Sequence, residues 1–341
     1  MSERTAVLLI NLGMPAAPEP GAVRRYLREF LSDPRVLDMP ALGRWLLLEA
    51  VILPTRPRRS AEAYAKIWTE TGSPLLVHGR ALEAALAREL GDACNVALGM
   101  RYGEPSIKSA LASLLETAPN VLMVVPLFPQ YADASTGSAL AAVFGALGSE
   151  APTVRTIDAF YDAPGFIDAV AHVARPVLAD FDPDHVLLSY HGLPERQIRK
   201  LDASGSHCFE RDDCCDSIGH ANRQCYRAHC FATSRALIAA LGLDPQHTST
   251  GFQSRLGRTP WIKPYTDVLL DRLAQQGVRR LAVLCPSFVA DCLETLEEIG
   301  LRGREQWIAA GGEDLRLVPC VNADPTWVTA LAALVREPEA G

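Results

Sequence analysis

HVLLSYHGLPER, residues 185–196, decides the fold. Val186, Leu187 and Leu188 follow one another, so neither face of this segment is polar, as in a strand covered on both sides. His191 then stands at its carboxyl end, where open parallel α/β sheets lodge their ligands. Gly192 lets the backbone turn tightly against whatever binds there. His191 is thereby first among the eight histidines as a reactive group; the plainer alternative is an imidazole that caps a turn.

Outward from this strand, apolar runs at residues 7–11, 95–100, 121–126, 153–157, 248–252, 280–285 and 315–318 alternate with helical patterns. Residues 21–31 set Val23, Leu27, Phe30 and Leu31 against Arg24, Arg25, Arg28 and Glu29. Such alternation marks an α/β protein with parallel sheets between layers of helix.

The strand ends repeat. LINLGMP (residues 9–15) parallels LSYHGLP (188–194), LGMRYG (98–103) parallels TGFQS (250–254), and VVPLF (124–128) parallels LCPSF (284–288), in the same order. Two similar halves are expected, residues 1–150 and 151–335, with strand ends facing each other across a cleft and Leu12 in the place of His191.

At 341 residues and 48% hydrophobic, the chain can bury large cores. A net charge of -7 gives no basic field, and no aromatic-basic interleaving is present, so nucleic acid is not an expected partner. With no leader-like opening and no run of about 20 apolar residues, a cytoplasmic protein is expected. Residues 42–53 (LGRWLLLEAVIL) suit a core helix, the preferred reading, or an interfacial lip.

After the strand at 280–285, Asp291, Glu294 and Glu298 fall three and four apart, on one helical face. Three carboxylates there can accept protons or hold a cation, with Asp291 as N-cap; a solvated helix start favoured by the macrodipole fits the same pattern. Cys208, Cys214, Cys215, Cys225 and Cys230, with His207, His220 and His229, crowd into residues 204–231. In a cytoplasmic chain such crowding reads as metal before disulfide. Spacing leaves zinc and an iron-sulfur cluster both open, zinc slightly ahead. Cys94, Cys285 and Cys320 read as small core residues.

Seven blocks decide among these readings: LLINLGMPAAPEPGAVRRYLREFLSDPRV (8–36), YAKIWTETGSPL (64–75), GMRYGEPSI (99–107), PLFPQYADASTGS (126–138), SYHGLPER (189–196), FQSRLGRTPWIKPYTD (252–267) and FVADCLETLEEI (288–299). Together, and in this order, they resemble the ferrochelatases over nearly the whole chain. The resemblance implies two Rossmann-like halves flanking a porphyrin cleft, a chelatase-like fold, and insertion of Fe(II) into protoporphyrin IX to form protohaem; a coproporphyrin or other porphyrin chelatase is the alternative.

His191 matches the family's essential histidine and Glu294 its essential glutamate, both candidate ligands of the iron substrate, with Asp291 and Glu298 completing an acidic relay. A neutral imidazole with an ordinary pKa of about 6.5 can take a pyrrole proton or pass on iron. Leu12, Tyr64, Ser73, Arg101, Tyr102 and Trp261 match porphyrin-contacting positions, where arginine pairs a propionate and aromatic rings stack. Leu12 stands where coproporphyrin-using members carry tyrosine, which favours protoporphyrin. Some bacterial members bind a [2Fe-2S] cluster through cysteines of such an insertion, so the resemblance moves the expectation from zinc to a cluster held by four of the five. Cys292 stands where many relatives have histidine. The segment 42–53 matches the family's lip, which adds peripheral contact with the inner membrane.

Overall fold

The computed structural model describes residues 4–92, 94–148, 151–257 and 259–336. The chain forms two compact units, one from 1–128, 133–159 and 328–341, the other from 129–132 and 160–327. The chain thus enters the second unit at 129, returns to the first at 133, crosses again at 160 and returns at 328.

Among the described residues eight strands form: β1 (Thr5–Gly13), β2 (Cys94–Tyr102), β3 (Val121–Pro126), β4 (Thr153–Thr156), β5 (His185–His191), β6 (Thr248–Gln253), β7 (Arg280–Leu284) and β8 (Asp314–Leu317). Each unit holds a four-stranded parallel sheet, ordered β2-β1-β3-β4 in the first and β6-β5-β7-β8 in the second. The runs without polar alternation take the central places: residues 6–10 of β1 are fully buried, and so are Leu187 and Leu188 of β5. Around β1 pack Leu111, Leu114, Val124 and Val143. Around β5 pack Leu269, Leu281, Val283 and Trp307. Each such buried leucine or valine contributes about 2 kcal/mol of transfer free energy.

The two sheets share register as well as order. Ile10 lies opposite Gly99 and Asn11 opposite Met100; Ser189 lies opposite Gly251 and Tyr190 opposite Phe252. After each outer strand the chain folds back, so that the Met100 amide donates to Pro105 O at 2.6 Å and the Phe252 amide to Pro264 O at 2.8 Å. The third repeated pair departs by one residue: Leu9 faces Val125, whereas Leu188 faces Leu284 rather than Cys285.

Both strand-end glycines are demanded by the neighbouring strand. A Cβ at Gly13, where φ is +115°, would fall 1.8 Å from Tyr102 O; one at Gly192 would fall 2.7 Å from Gln253 O. The tight turn at Gly192 is therefore fixed by the protein's own backbone, and no bound molecule is needed to explain it.

Residues 42–53 correct the expected core helix. Helix Ala41–Leu47 has no buried residue, and Leu42 (71%), Trp45 (58%), Leu46 and Val51 are exposed. Only Leu48, in the following π-helical turn Leu48–Ile52, and Leu53 turn inward. Among the described residues no helix is long and apolar enough to cross a membrane.

Candidate active site

In the second unit, β5 delivers His191 half-buried at its carboxyl end. The imidazole Nδ1 lies 2.7 Å from Gly192 O. A carbonyl oxygen only accepts, so this contact places the proton on Nδ1 and leaves the Nε2 lone pair for a proton or a metal. The His191 backbone is held on both sides: its amide donates to Ser287 Oγ at 3.1 Å, and its carbonyl accepts from Tyr226 Oη at 2.8 Å. The Phe288 ring stands edge-on to the imidazole, 6.4 Å between centroids.

The acidic segment does not form the α-helix expected of it. Leu293–Gly303 is π-helical, with Cys292 as N-cap in a capping box with Thr295. Asp291 lies before the helix. It is buried, accepts from Asn322 Nδ2 at 2.8 Å and from Thr295 Oγ1 at 3.2 Å, and so neither caps the helix nor shares a face with the glutamates. Glu294 and Glu298 both keep partly exposed side chains. Glu298 accepts from Ser254 Oγ at 2.6 Å and from the Ser254 amide at 2.9 Å. Burial first, then the Glu294 charge, push the Cys292 thiol far up, and it hydrogen-bonds Glu294 as a neutral thiol. A protonated thiol is a poor substitute for an imidazole ligand.

Gln253 connects these parts and was not singled out by sequence. It pairs with His191 across the sheet, accepts from Ser189 Oγ at 2.8 Å, and donates through Nε2 to Glu294 O at 2.8 Å and towards Glu298 Oε2 at 3.4 Å. Its only sequence signal is its place opposite Arg101 in the repeat. Trp261 is partly exposed, its Nε1 donating to Leu256 O at 2.9 Å, and a Cβ on Gly192 would approach its ring within 3.3 Å.

In the first unit, Leu12 is half-buried at the end of β1. Arg101 and Tyr102 converge on Asp33: Arg101 Nη2 donates at 2.7 Å, Tyr102 Oη at 2.9 Å and Ser138 Oγ at 2.6 Å to the same carboxylate oxygen. Burial works to raise the Asp33 pKa, but the hydrogen bonds from Ser138, the Arg35 amide and Tyr102, with the Arg101 charge, hold it below the usual carboxylate range. Burial pushes the Tyr102 phenol up. Tyr102 has no exposed surface, which corrects the expectation that it stacks on a ring; Arg101 keeps 22% of its side chain exposed. Tyr64 and Ser73 are buried at 8% and 3%, Tyr64 edge-on to Trp68.

The five cysteines of the insertion are all buried. The Cys214 and Cys215 sulfurs lie 3.8 Å apart, and Arg227 Nη1 is 3.0 Å from Cys215 Sγ. The Cys225 thiol is pushed far up, chiefly by its neighbours Cys208 and Cys215. The neighbouring Cys225, aided by Arg227, brings Cys215 below the ordinary thiol range against the opposing effect of burial. Cys230 lies deeper, hydrogen-bonded to Tyr226. Four soft sulfur donors beside a cation suit the charge of a thiolate-bound cluster. Among the described residues, however, no three His, Cys, Asp or Glu side chains converge as metal ligands. His207 bonds the Cys214 carbonyl, His229 is buried between Tyr131 and Arg223, and His220 is exposed. Cys285 and Cys320 are core residues as expected, whereas Cys94 is only half-buried.

This fold of two four-stranded parallel sheets is similar to that of chelatases. SirB from Bacillus subtilis, solved with Fe3+, shares it at a TM-score of 0.55 and 11% identity, over 98% of this chain and 95% of its own. The sirohydrochlorin chelatase SirB of Bacillus subtilis subspecies spizizenii, in complex with cobalt, gives 0.51 at the same identity, over 98% of this chain and 94% of its own. Within that class, residues 4–339 match the ferrochelatase family. The ferrochelatase of Coxiella burnetii (strain CbuG_Q212) is 49% identical over 98% of this chain and 94% of its own length, and that of Legionella pneumophila (strain Lens) 47% over 98% and 99%. The chain belongs to the ferrochelatase family, lyases of haem biosynthesis that insert iron into a porphyrin.

Proposed function

We propose that this ferrochelatase inserts Fe(II) into protoporphyrin IX, with His191 and Glu294 at the reacting centre. Metallation releases two pyrrole protons for each Fe(II) that enters. The observation that carries the reading is the Nδ1 contact of His191 with Gly192 O, which leaves Nε2 as a base or iron ligand. Glu294 and Glu298, both partly exposed residues, take up protons or iron substrate next. Asp291, bonded to Asn322 and Thr295, shapes this acidic end rather than relaying protons. Arg101, with a surface left open beside its Asp33 contact, pairs a propionate. Trp261, Leu12, Tyr64 and Ser73 are the remaining porphyrin-contacting candidates, and Leu12, standing where coproporphyrin-using members of the family carry tyrosine, favours protoporphyrin. Anaerobic turnover with Fe(II) tests this: His191→Ala abolishes haem formation, and protoporphyrin outcompetes coproporphyrin. Full activity of His191→Ala would overturn it.

The insertion is proposed to hold a [2Fe-2S] cluster through Cys208, Cys214, Cys215 and Cys225, supported by their contacts and by Arg227. When bound, such a cluster supplies structural cross-linking or redox sensing, not metallation chemistry. Absorbance between about 400 and 550 nm in the purified protein, lost on Cys215→Ser, is the expected sign; a colourless protein with stoichiometric zinc contradicts it. Leu42, Trp45, Leu46 and Val51 form a patch suited to a lipid surface.

A further inference from the structure

One helix joins the cysteine-rich insertion to the reacting histidine. Helix Tyr226–Leu241 starts from Cys225, its N-cap. Tyr226, Cys230 and Ser234 fall four residues apart, on the face turned to β5. From that face Tyr226 Oη donates to His191 O at 2.8 Å, and Ser234 Oγ meets Tyr190 Oη at 2.9 Å. Both final residues of β5 are thus tethered to this helix. From the same first turn, Arg227 points the other way, with Nη1 3.0 Å from Cys215 Sγ and 3.9 Å from Cys214 Sγ.

The His191 backbone is held at both of its polar groups. Its amide donates to Ser287 Oγ at 3.1 Å, and its carbonyl accepts from Tyr226 Oη at 2.8 Å. These two bonds fix the peptide planes on either side of the histidine. The Gly192 carbonyl that holds Nδ1 belongs to the next peptide, so the direction of Nε2 depends on the same two bonds.

We propose that Tyr226 is a positioning residue for His191, and that through Tyr226 and Arg227 the cysteine-rich insertion sets the direction of the imidazole. The proposal rests on the reading of His191 as the reacting group. A misplacement of about 1 Å can cost on the order of 100-fold in rate. Cys230, buried one turn from Tyr226 on the same helical face, then belongs with this tether and not with the sulfur group of Cys208, Cys214, Cys215 and Cys225.

The test uses the purified full chain, Tyr226→Phe and Arg227→Gln, with the His191 imidazole nitrogens followed by NMR and assigned by their loss in His191→Ala. Tyr226→Phe keeps the buried ring and removes only the hydroxyl. It is expected to lower kcat for porphyrin metallation about tenfold at unchanged porphyrin KM, and to move the His191 nitrogen signals. Arg227→Gln, which does not touch His191, is expected to move the same signals in the same direction by a smaller amount. Unmoved signals and kcat within about twofold in folded Tyr226→Phe would overturn the positioning role. Signals that move in Tyr226→Phe but not in Arg227→Gln would overturn the link to the insertion; should Tyr226→Phe not fold, unmoved signals in Arg227→Gln would do the same. Full activity of His191→Ala strikes the catalytic reading instead, and leaves the NMR result to judge the coupling.

Discussion

The ends of β1 and β5 are built alike and used differently. Both finish in a residue followed by a glycine that no side chain could replace, at Gly13 and Gly192. Beside each stands a polar residue of the adjoining strand, Arg101 or Gln253, that reaches the segment after the third strand of its sheet. In the first unit this reach closes on a buried anion: Arg101 Nη2, Tyr102 Oη and Ser138 Oγ each donate to Asp33. In the second, Gln253 bonds the Glu294 carbonyl and only approaches Glu298, while Glu294 and Glu298 stay partly exposed and the Nδ1 contact of His191 leaves its Nε2 lone pair available. A repeated scaffold can therefore carry structure at one end and chemistry at the other, with few residues deciding which.

If that contrast holds, mutations at the two ends fail in different assays. Glu294→Gln should lower kcat about 100-fold while thermal unfolding stays within a few degrees, since the carboxylate is partly exposed and its removal leaves no buried charge unpaired. Asp33→Ala should instead cost about 3 kcal/mol in urea unfolding, because Arg101 and Tyr102 lose a shared buried partner. A stability loss in Glu294→Gln as large as that in Asp33→Ala would erase the distinction.

A milder test lies at the opposite end of β5. His185 hydrogen-bonds Ser249 at 2.8 Å, and burial, with nearby His247 and Arg272, pushes its pKa down to about 4 from 6.5. The unfolded chain therefore takes up this proton first as pH falls. The stabilisation is whole above pH 6.5 and is lost between 6.5 and 4, on the order of 1–2 kcal/mol after solvent screening. His185→Gln should flatten that part of the stability profile measured by denaturant titration, and leave activity at neutral pH unchanged. Smallest of all, Trp45→Ser with Leu46→Ser should change stability by less than about 0.5 kcal/mol, yet abolish flotation with phospholipid vesicles; retained flotation would remove the lipid-facing role of this patch.

What could be read from sequence follows physical lines. Strands such as 185–190 were legible because burial on both faces leaves no polar alternation, and the repeat was legible because Gly13 and Gly192 tolerate no side chain. Asp291 misled because the spacing argument assumed α-helical turns, whereas the segment is π-helical from Leu293 onward and the aspartate lies before it. Tyr102 misled because a tyrosine at a matching position can point inward, and here Asp33, 69 residues away, draws its hydroxyl into the core. Gln253 shows in sequence only as the counterpart of Arg101 in the repeat, and Tyr226 not at all: hydrogen bonds spanning 41 and 35 residues have no period to detect.

The central claim is that chemistry belongs to the β5 end alone. Anaerobic kcat with Fe(II) and protoporphyrin, compared between His191→Ala and Leu12→Ala, tests it most directly. A loss on the order of 1,000-fold is expected for His191→Ala and of less than about tenfold for Leu12→Ala; equal losses at the two positions, or an active His191→Ala, would show that chemistry is not confined to the β5 end.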